Sequence, residues 1–227
     1  MAEFVIARPA PVALPVAGGG LFPVRRIYCV GRNYAEHARE MGNDPKAPPF
    51  FFGKPADALV IGGGDVPYPT QTNDLHHEIE FVVAIGKDGA GIESEDALDH
   101  VYGYAAGIDL TRRDLQAEAK SAGRPWDMAK GFDHSAPIGE ITPASSIGHP
   151  ASGAITLAVN GTERQRGNLA DQIWAVPETI AFLSQFVALK AGDLIFTGTP
   201  AGVGPVVAGD ALEGRIEGVG QVTTRIV

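Results

Sequence analysis

Glu78 and Glu80 stand two apart in the run His76-His77-Glu78-Ile79-Glu80-Phe81-Val82-Val83-Ala84-Ile85. In a strand that spacing puts both carboxylates on one face, about 7 Å apart. A pair of this kind is most often the solvated face of an amphipathic strand, because charged side chains mostly stay exposed. The flanks argue otherwise here: Ile79, Phe81, Val83 and Ile85 fill the opposite face, and Val82 and Ala84 continue the face of the glutamates. A strand apolar on both faces is a buried one. Two like charges then sit where burial begins, and they repel unless one is protonated or a cation lies between them. Asp109 ends the apolar run 101–110, two residues before Thr111, and offers a third carboxylate beside an expected helix start, which favours an anion. Nothing in the sequence alone brings Asp109 to the glutamates. If the three meet, an all-oxygen donor set suits a hard divalent cation, Mg2+ or Mn2+, with about three octahedral positions left for water or substrate oxygens.

His37 and Glu40 are three apart, one turn along one face of an expected short helix. A carboxylate so placed orients an imidazole and stabilises its protonated form, which is a general-base arrangement for activating water. The competing reading is a surface histidine with a salt-bridging neighbour, and Lys130 taken alone reads as a surface lysine. Other motifs fail. The run 197–204 is Gly-rich but lacks the Gly-Lys-Ser/Thr ending of a phosphate loop. No Gly-x-Ser-x-Gly nucleophile elbow occurs. His76 and His77, adjacent on a strand, face opposite ways, and His100, His134 and His149 have no partner at ligand spacing.

The elements that must position these groups are short. Residues 1–24 are an extended, proline-punctuated segment. A strand over 26–30 stops at Gly31, and Asn33 with Glu36 three residues on predicts an N-cap and a helix over 34–41 ended by Gly42. Two turns of helix are marginal alone, so this segment is a candidate for ordering on demand. The aromatic run 48–55 is framed by prolines, residues 76–85 and 101–110 read as strands, and Thr111 with Asp114 has the form of a capping box opening a helix to about 121. Farther on, Asn160-Gly161 between apolar runs predicts a type I′ hairpin, and a helix over 177–186 carries proline in its first turn.

Composition agrees with one mainly β domain with short helices (α+β). Of 227 residues, 44% are hydrophobic, enough for a core, and 29 glycines with 17 prolines favour many turns over long helices. With 27 acidic against 18 basic residues the formal charge is −9, which gives little electrostatic support to nucleic-acid or anionic-membrane binding. The single cysteine, Cys29, cannot make an internal disulfide, so a reducing cytoplasm is the expected compartment. No signal peptide or membrane-spanning run is apparent.

Taken in order, Gly31-Arg32-Asn33-Tyr34-Ala35-Glu36-His37, His76-His77-Glu78-Ile79-Glu80, Gly107-Ile108-Asp109-Leu110-Thr111-Arg112-Arg113-Asp114-Leu115-Gln116, Pro125-Trp126 through Lys130, Val159-Asn160-Gly161 and Thr197-Gly198-Thr199-Pro200 resemble the fumarylacetoacetate hydrolase family, in its acylpyruvase-like branch. The likeness runs from about Arg26 to the end. It implies a catalytic domain over 26–227, with 1–25 an extended segment packed on it, and a mixed β-sandwich roll paired as a homodimer. It implies one divalent cation per chain, Mg2+ or Mn2+, on Glu78, Glu80 and Asp109, a lid dyad at His37 and Glu40, an active-site lysine at Lys130, and substrate contacts at Arg32, Gln116 and Thr199. Flanking pieces such as Phe50-Phe51-Phe52-Gly53-Lys54-Pro55 are most similar to the family's fumarylpyruvate hydrolases of gentisate breakdown. The implied reaction cleaves the C3–C4 bond of an anionic 2,4-diketo acid, giving fumarate and pyruvate. The rivals are an acylpyruvase or oxaloacetate decarboxylase, a 2-hydroxyhepta-2,4-diene-1,7-dioate isomerase type of enzyme, and a metal-binding scaffold without catalysis.

Overall fold

In the computed structural model, which describes residues 4–36 and 48–227, the run that carries the glutamates is two strands and not one. Leu75–His77 pairs antiparallel with Thr111–Arg112 on one side and Gly204–Val206 on the other, making a three-stranded sheet. The ladder breaks at Glu78, and Ile79–Ile85 then lies between Asp193–Phe196 and Val101–Ile108 in a larger, mixed sheet. The break was hidden because the apolar pattern runs through it. It is held by long-range bonds that sequence spacing cannot reveal: Ile79 N–H donates to Gln165 Oε1 at 3.0 Å, and Asp109 N–H donates to the Glu78 carbonyl at 2.8 Å.

The larger sheet runs Phe50–Lys54, Arg26–Gly31, Asp193–Phe196, Ile79–Ile85, Val101–Ile108, Ala136–Ile138, Leu59–Ile61, with Thr142–Pro143 beside Val101–Ile108. A five-stranded sheet runs Thr162–Asn168, Ala154–Val159, Ala211–Ile216, Gly220–Ile226, Asp65–Val66. The two pack face to face, as period-two patterning requires. Ile79, Phe81, Val83 and Ile85 meet Ile155, Leu157, Leu212 and Val222 in one core, while Val82, Ala84 and Phe196 on the reverse face meet Leu14, Val16 and Phe22 of the N-terminal segment in another. All seven residues of Ile79–Ile85 are buried, so the strand beneath the glutamates is apolar on both faces, as expected. Each large apolar side chain moved from water contributes about 1.5–3 kcal/mol. Gly107, opposite Glu80 in the ladder, leaves room for side chains of two other strands of its own sheet, since a Cβ there would lie 2.7 Å from both Phe196 and Val82.

The class expected from composition, mainly β with short helices, is the one found, in the rolled sandwich that the resemblance implied. The Asn160-Gly161 hairpin is present, with φ of 51° and 76°, and the helix Val176–Ser184 carries proline in its first turn. Two local expectations need correction. Thr111 does not cap the helix Arg113–Ser121; it is a strand residue, and its hydroxyl accepts from Lys130 Nζ at 2.6 Å. Asn33 does not serve as a local N-cap: its amide donates to the Thr197 and Trp174 carbonyls and its oxygen accepts from Trp174 N–H. The aromatic run contains a strand, Phe50–Lys54, at the edge of the larger sheet. Ala35 and Glu36 are helical, while the rest of the helix expected over 34–41, with His37 and Glu40, lies outside the described residues. Among the described residues no helix is long and apolar enough to cross a membrane.

Candidate active site

The break at Glu78 and the end of the Val101–Ile108 strand bring the three carboxylates together. One oxygen from each of Glu78, Glu80 and Asp109 lies within 4.8 Å of the others, and the residues are 5%, 1% and 0% exposed. Glu78 accepts from Arg113 at 2.5 Å and from Lys130 Nζ at 2.9 Å. Asp109 Oδ2 accepts from Lys130 Nζ at 2.6 Å, and Lys54 Nζ stands 2.8 Å from Asp109 Oδ1. Glu80 is different: Gly198 N–H donates to its Oε2 at 2.7 Å, and among the described residues it has no salt bridge. Burial first, and then the charges of Asp109 and Glu78, push the Glu80 pKa well above the ordinary carboxylate value. Burial opposes the charge of Lys130, yet Asp109 and Glu78 overcome it and raise that pKa.

A divalent cation fits this arrangement. The donors are three hard carboxylate oxygens, the kind that Mg2+ and Mn2+ select. Although Lys54 is close to Asp109 Oδ1, its ammonium is not aligned to donate, so that buried oxygen lacks a hydrogen bond. Glu80 likewise has no cationic partner of its own among the described residues. One buried Asp109 oxygen thus lacks an aligned donor and Glu80 lacks a cation, a condition a shared cation relieves.

The carboxylates floor a narrow cavity with a free volume of about 30 Å³. Arg32, Gln116, Lys130 and Thr199, all singled out from the sequence, line it. His37 and Glu40 are the two candidates the described residues do not place. Arg32 has φ of 67°, a left-handed conformation uncommon outside glycine, between Gly31 and the tethered Asn33. Gln116 Oε1 accepts from Arg113 at 2.7 Å, which leaves its NH2 for another partner. Thr199 Oγ1 accepts from Gln165 Nε2 at 2.8 Å, so its hydroxyl hydrogen remains available to donate. Glycine is required just before it: Gly198 has φ of 95°, and a Cβ there would lie 2.7 Å from the Asn33 Cβ. That backbone turn aims the Gly198 N–H at Glu80.

Four residues of this site went unassigned in the sequence. Lys54 sits in an aromatic run, where alternation with Phe50 and Phe52 was the available signal that it points inward. Arg113 was noticed only as part of a motif, yet it joins Glu78 to Gln116. Lys120 lines the cavity one helical turn beyond Gln116. Gln165 lies in a hairpin strand whose other residues are mostly exposed, but it is fully buried and uses its whole amide: Oε1 accepts from Ile79 N–H and His77 Nδ1–H, and Nε2 donates to Thr199 and Pro200. No local pattern marks it.

Comparison with known proteins agrees with this geometry. The model for the fumarylacetoacetate (FAA) hydrolase C-terminal family matches residues 26–227. A fumarylpyruvate hydrolase from Pseudomonas aeruginosa, whose crystal structure is a complex with Mn2+ and pyruvate, is similar at a TM-score of 0.97 and 53% identity, covering 99% of each chain. An oxaloacetate tautomerase of Escherichia coli is 41% identical over 207 residues, 91% of this chain and 94% of that protein. A mitochondrial oxaloacetate decarboxylase of Dictyostelium discoideum is 41% identical over 196 residues, 86% of this chain and 90% of its own length.

The wiring through Gln165 predicts a stability effect. Gln165→Leu strands the buried Ile79 N–H and removes the donor to Thr199, so urea unfolding is expected to show a loss of about 1–3 kcal/mol. A variant as stable as the wild type would show that this amide does not brace the carboxylate strand.

Proposed function

Because the chain belongs to the fumarylacetoacetate hydrolase family, we propose that it is a divalent-metal-dependent hydrolase that cleaves the C3–C4 bond of a 2,4-diketo acid, with fumarylpyruvate as substrate and fumarate and pyruvate as products. The observation that carries this reading is the buried three-carboxylate centre opening onto an aromatic, cation-lined cavity, in a chain 53% identical to a fumarylpyruvate hydrolase that holds Mn2+ and pyruvate.

In this reading Glu78, Glu80 and Asp109 hold Mg2+ or Mn2+, which when bound supplies a Lewis acid and a template for the 2-keto acid oxygens. Lys54, Lys130 and Arg113 already balance the three carboxylates in number, so a dication leaves the site cationic and suited to an anionic substrate. His37, oriented by Glu40, takes a proton from the water that adds to the C4 carbonyl. The C3–C4 bond then breaks, its electron pair stays with the pyruvyl fragment as an enolate, and C3 is protonated to give pyruvate. The acyl fragment leaves as the carboxylate. Lys130, whose three N–H donors are held by Glu78, Asp109 and Thr111, stabilises the C2 oxygen by its positive charge as negative charge grows there, a preorganised cation in a dry place. Arg32, the free NH2 of Gln116 and the Thr199 hydroxyl orient the substrate, while Phe50, Phe52 and Trp126 keep water from it.

A second reading, an oxaloacetate tautomerase or decarboxylase, is favoured by the two 41%-identical relatives. It uses the same centre, because an enol or enolate of a 2-keto acid is common to both chemistries. An isomerase of unsaturated hydroxy diacids would share it too.

Following the loss of enol absorbance in the presence of Mg2+ separates these. Fumarylpyruvate is expected to be consumed with pyruvate and fumarate in equal amounts, at higher kcat/KM than acetylpyruvate or oxaloacetate. Faster turnover of oxaloacetate would favour the second reading, and turnover of none would leave a metal-binding scaffold. For the dyad, His37→Ala is expected to lower kcat by about 100-fold or more while changing the affinity for oxalate, a pyruvate-like inhibitor, far less. An unchanged kcat would remove His37 from the reaction.

A further inference from the structure

The helix Arg113–Ser121 presents Arg113, Gln116 and Lys120 at spacings of three and four residues, along one face, and all three line the carboxylate cavity. Arg113 is the inner end of this row, bonded to Glu78. Lys120 is seven positions on, about 10 Å farther along the axis at 1.5 Å per residue. There its Nζ stands 5.1 Å from the centre of the Trp126 ring. The Arg32 guanidinium is 4.9 Å from the Phe50 ring, and the Phe50 and Trp126 rings meet edge to face at 5.1 Å. Two cations are therefore held on two touching aromatic rings, at the outer end of the cavity. Arg113 and Lys130, the other two cations on its wall, each bond a carboxylate, whereas among the described residues neither Lys120 nor Arg32 has a salt bridge. Lys120 is exposed as a residue, but burial of its ammonium and then the like charges of Arg113 and Arg32 lower its pKa. Cations crowded in this way gain from an anion placed between them. A further hollow opens beside Arg32, sharing Arg32, Phe50, Phe52 and Trp126 with the first and bordered also by Arg124 and Asp127.

We propose that Lys120 and Arg32 form a distal anion subsite that receives a carboxylate at the acyl end of the substrate, so that the enzyme selects diacids over acylpyruvates with a neutral, methyl-capped acyl group. The proposal rests on the hydrolase reading above and adds to it the group that sets substrate choice. The keto-acid end goes to the carboxylate centre, and the planar acyl chain runs along the Phe50 and Trp126 rings, which bring its far end to the two cations.

The test compares fumarylpyruvate with acetylpyruvate in wild type, Lys120→Gln and Lys120→Arg, all with Mg2+. Lys120→Gln is expected to raise KM for fumarylpyruvate about tenfold or more with a much smaller change in kcat, the size of loss usual for a hydrogen bond to a charged group. KM for acetylpyruvate should move far less, and Lys120→Arg should restore part of the fumarylpyruvate KM. A Lys120→Gln variant that leaves the fumarylpyruvate KM unchanged, or raises both KM values alike, overturns the subsite while leaving the hydrolase reading intact. A wild-type enzyme that hydrolyses neither compound overturns that reading, and the subsite with it.

Discussion

Three carboxylates confined to one buried spot set the terms for the rest of this molecule. With oxygens within 4.8 Å of one another, each pair of full charges would repel by about 3.5 kcal/mol at an effective dielectric near 20, and three pairs together would rival the ~5–15 kcal/mol stability of a typical domain. The protein answers with Lys130 between Glu78 and Asp109, Lys54 behind Asp109, and Arg113 against Glu78. Glu80 is left with a backbone N–H, and its raised pKa records the strain that remains. A cluster so costly is retained for a use, and a shared dication is the use its chemistry fits best.

The fold is arranged around holding those groups still. Each carboxylate sits where a buried strand begins or ends: Glu78 in the gap between two sheets, Glu80 in the first positions of Ile79–Ile85, Asp109 just past Val101–Ile108. The cations come from elsewhere, Lys54 from the edge strand and Lys130 from the short helix Asp127–Lys130. Gln165 and Asn33 then tie the turn containing Thr199 to the carboxylate strand and to the loop bearing Arg32. Rigid strands beneath and polar cross-links above are what a site needs if its groups are to stay in place through a reaction.

How much of this was legible in the sequence depended on the range of the interaction. The burial of Glu78 and Glu80 could be read, because the apolar alternation that reports it lies within ten residues. The closeness of Asp109 could not, since it follows from the pairing and register of two strands, Ile79–Ile85 and Val101–Ile108, which no local pattern reports; only the family resemblance supplied it. Asn33 misled for a physical reason: an asparagine before a helical turn looks the same whether its amide caps that turn or bonds to Thr197 and Trp174 far away. Gln165 was silent because a single polar residue in a mostly exposed strand carries no periodic signal, whereas the alternation of Lys54 with Phe50 and Phe52 hinted at its inward side but not at its partner Asp109. The mainly β class was carried by composition and turn residues, which are local properties.

The central claim is that Glu78, Glu80 and Asp109 together hold one divalent cation, and Mn2+ binding measured directly on the purified protein tests it apart from turnover. Titration of metal-free protein, followed by calorimetry and by the electron paramagnetic resonance signal of free Mn2+, is expected to give one site per chain. Glu80→Gln should weaken that site by about tenfold or more. Binding at full strength in Glu80→Gln, or no binding in the wild type, would contradict the account.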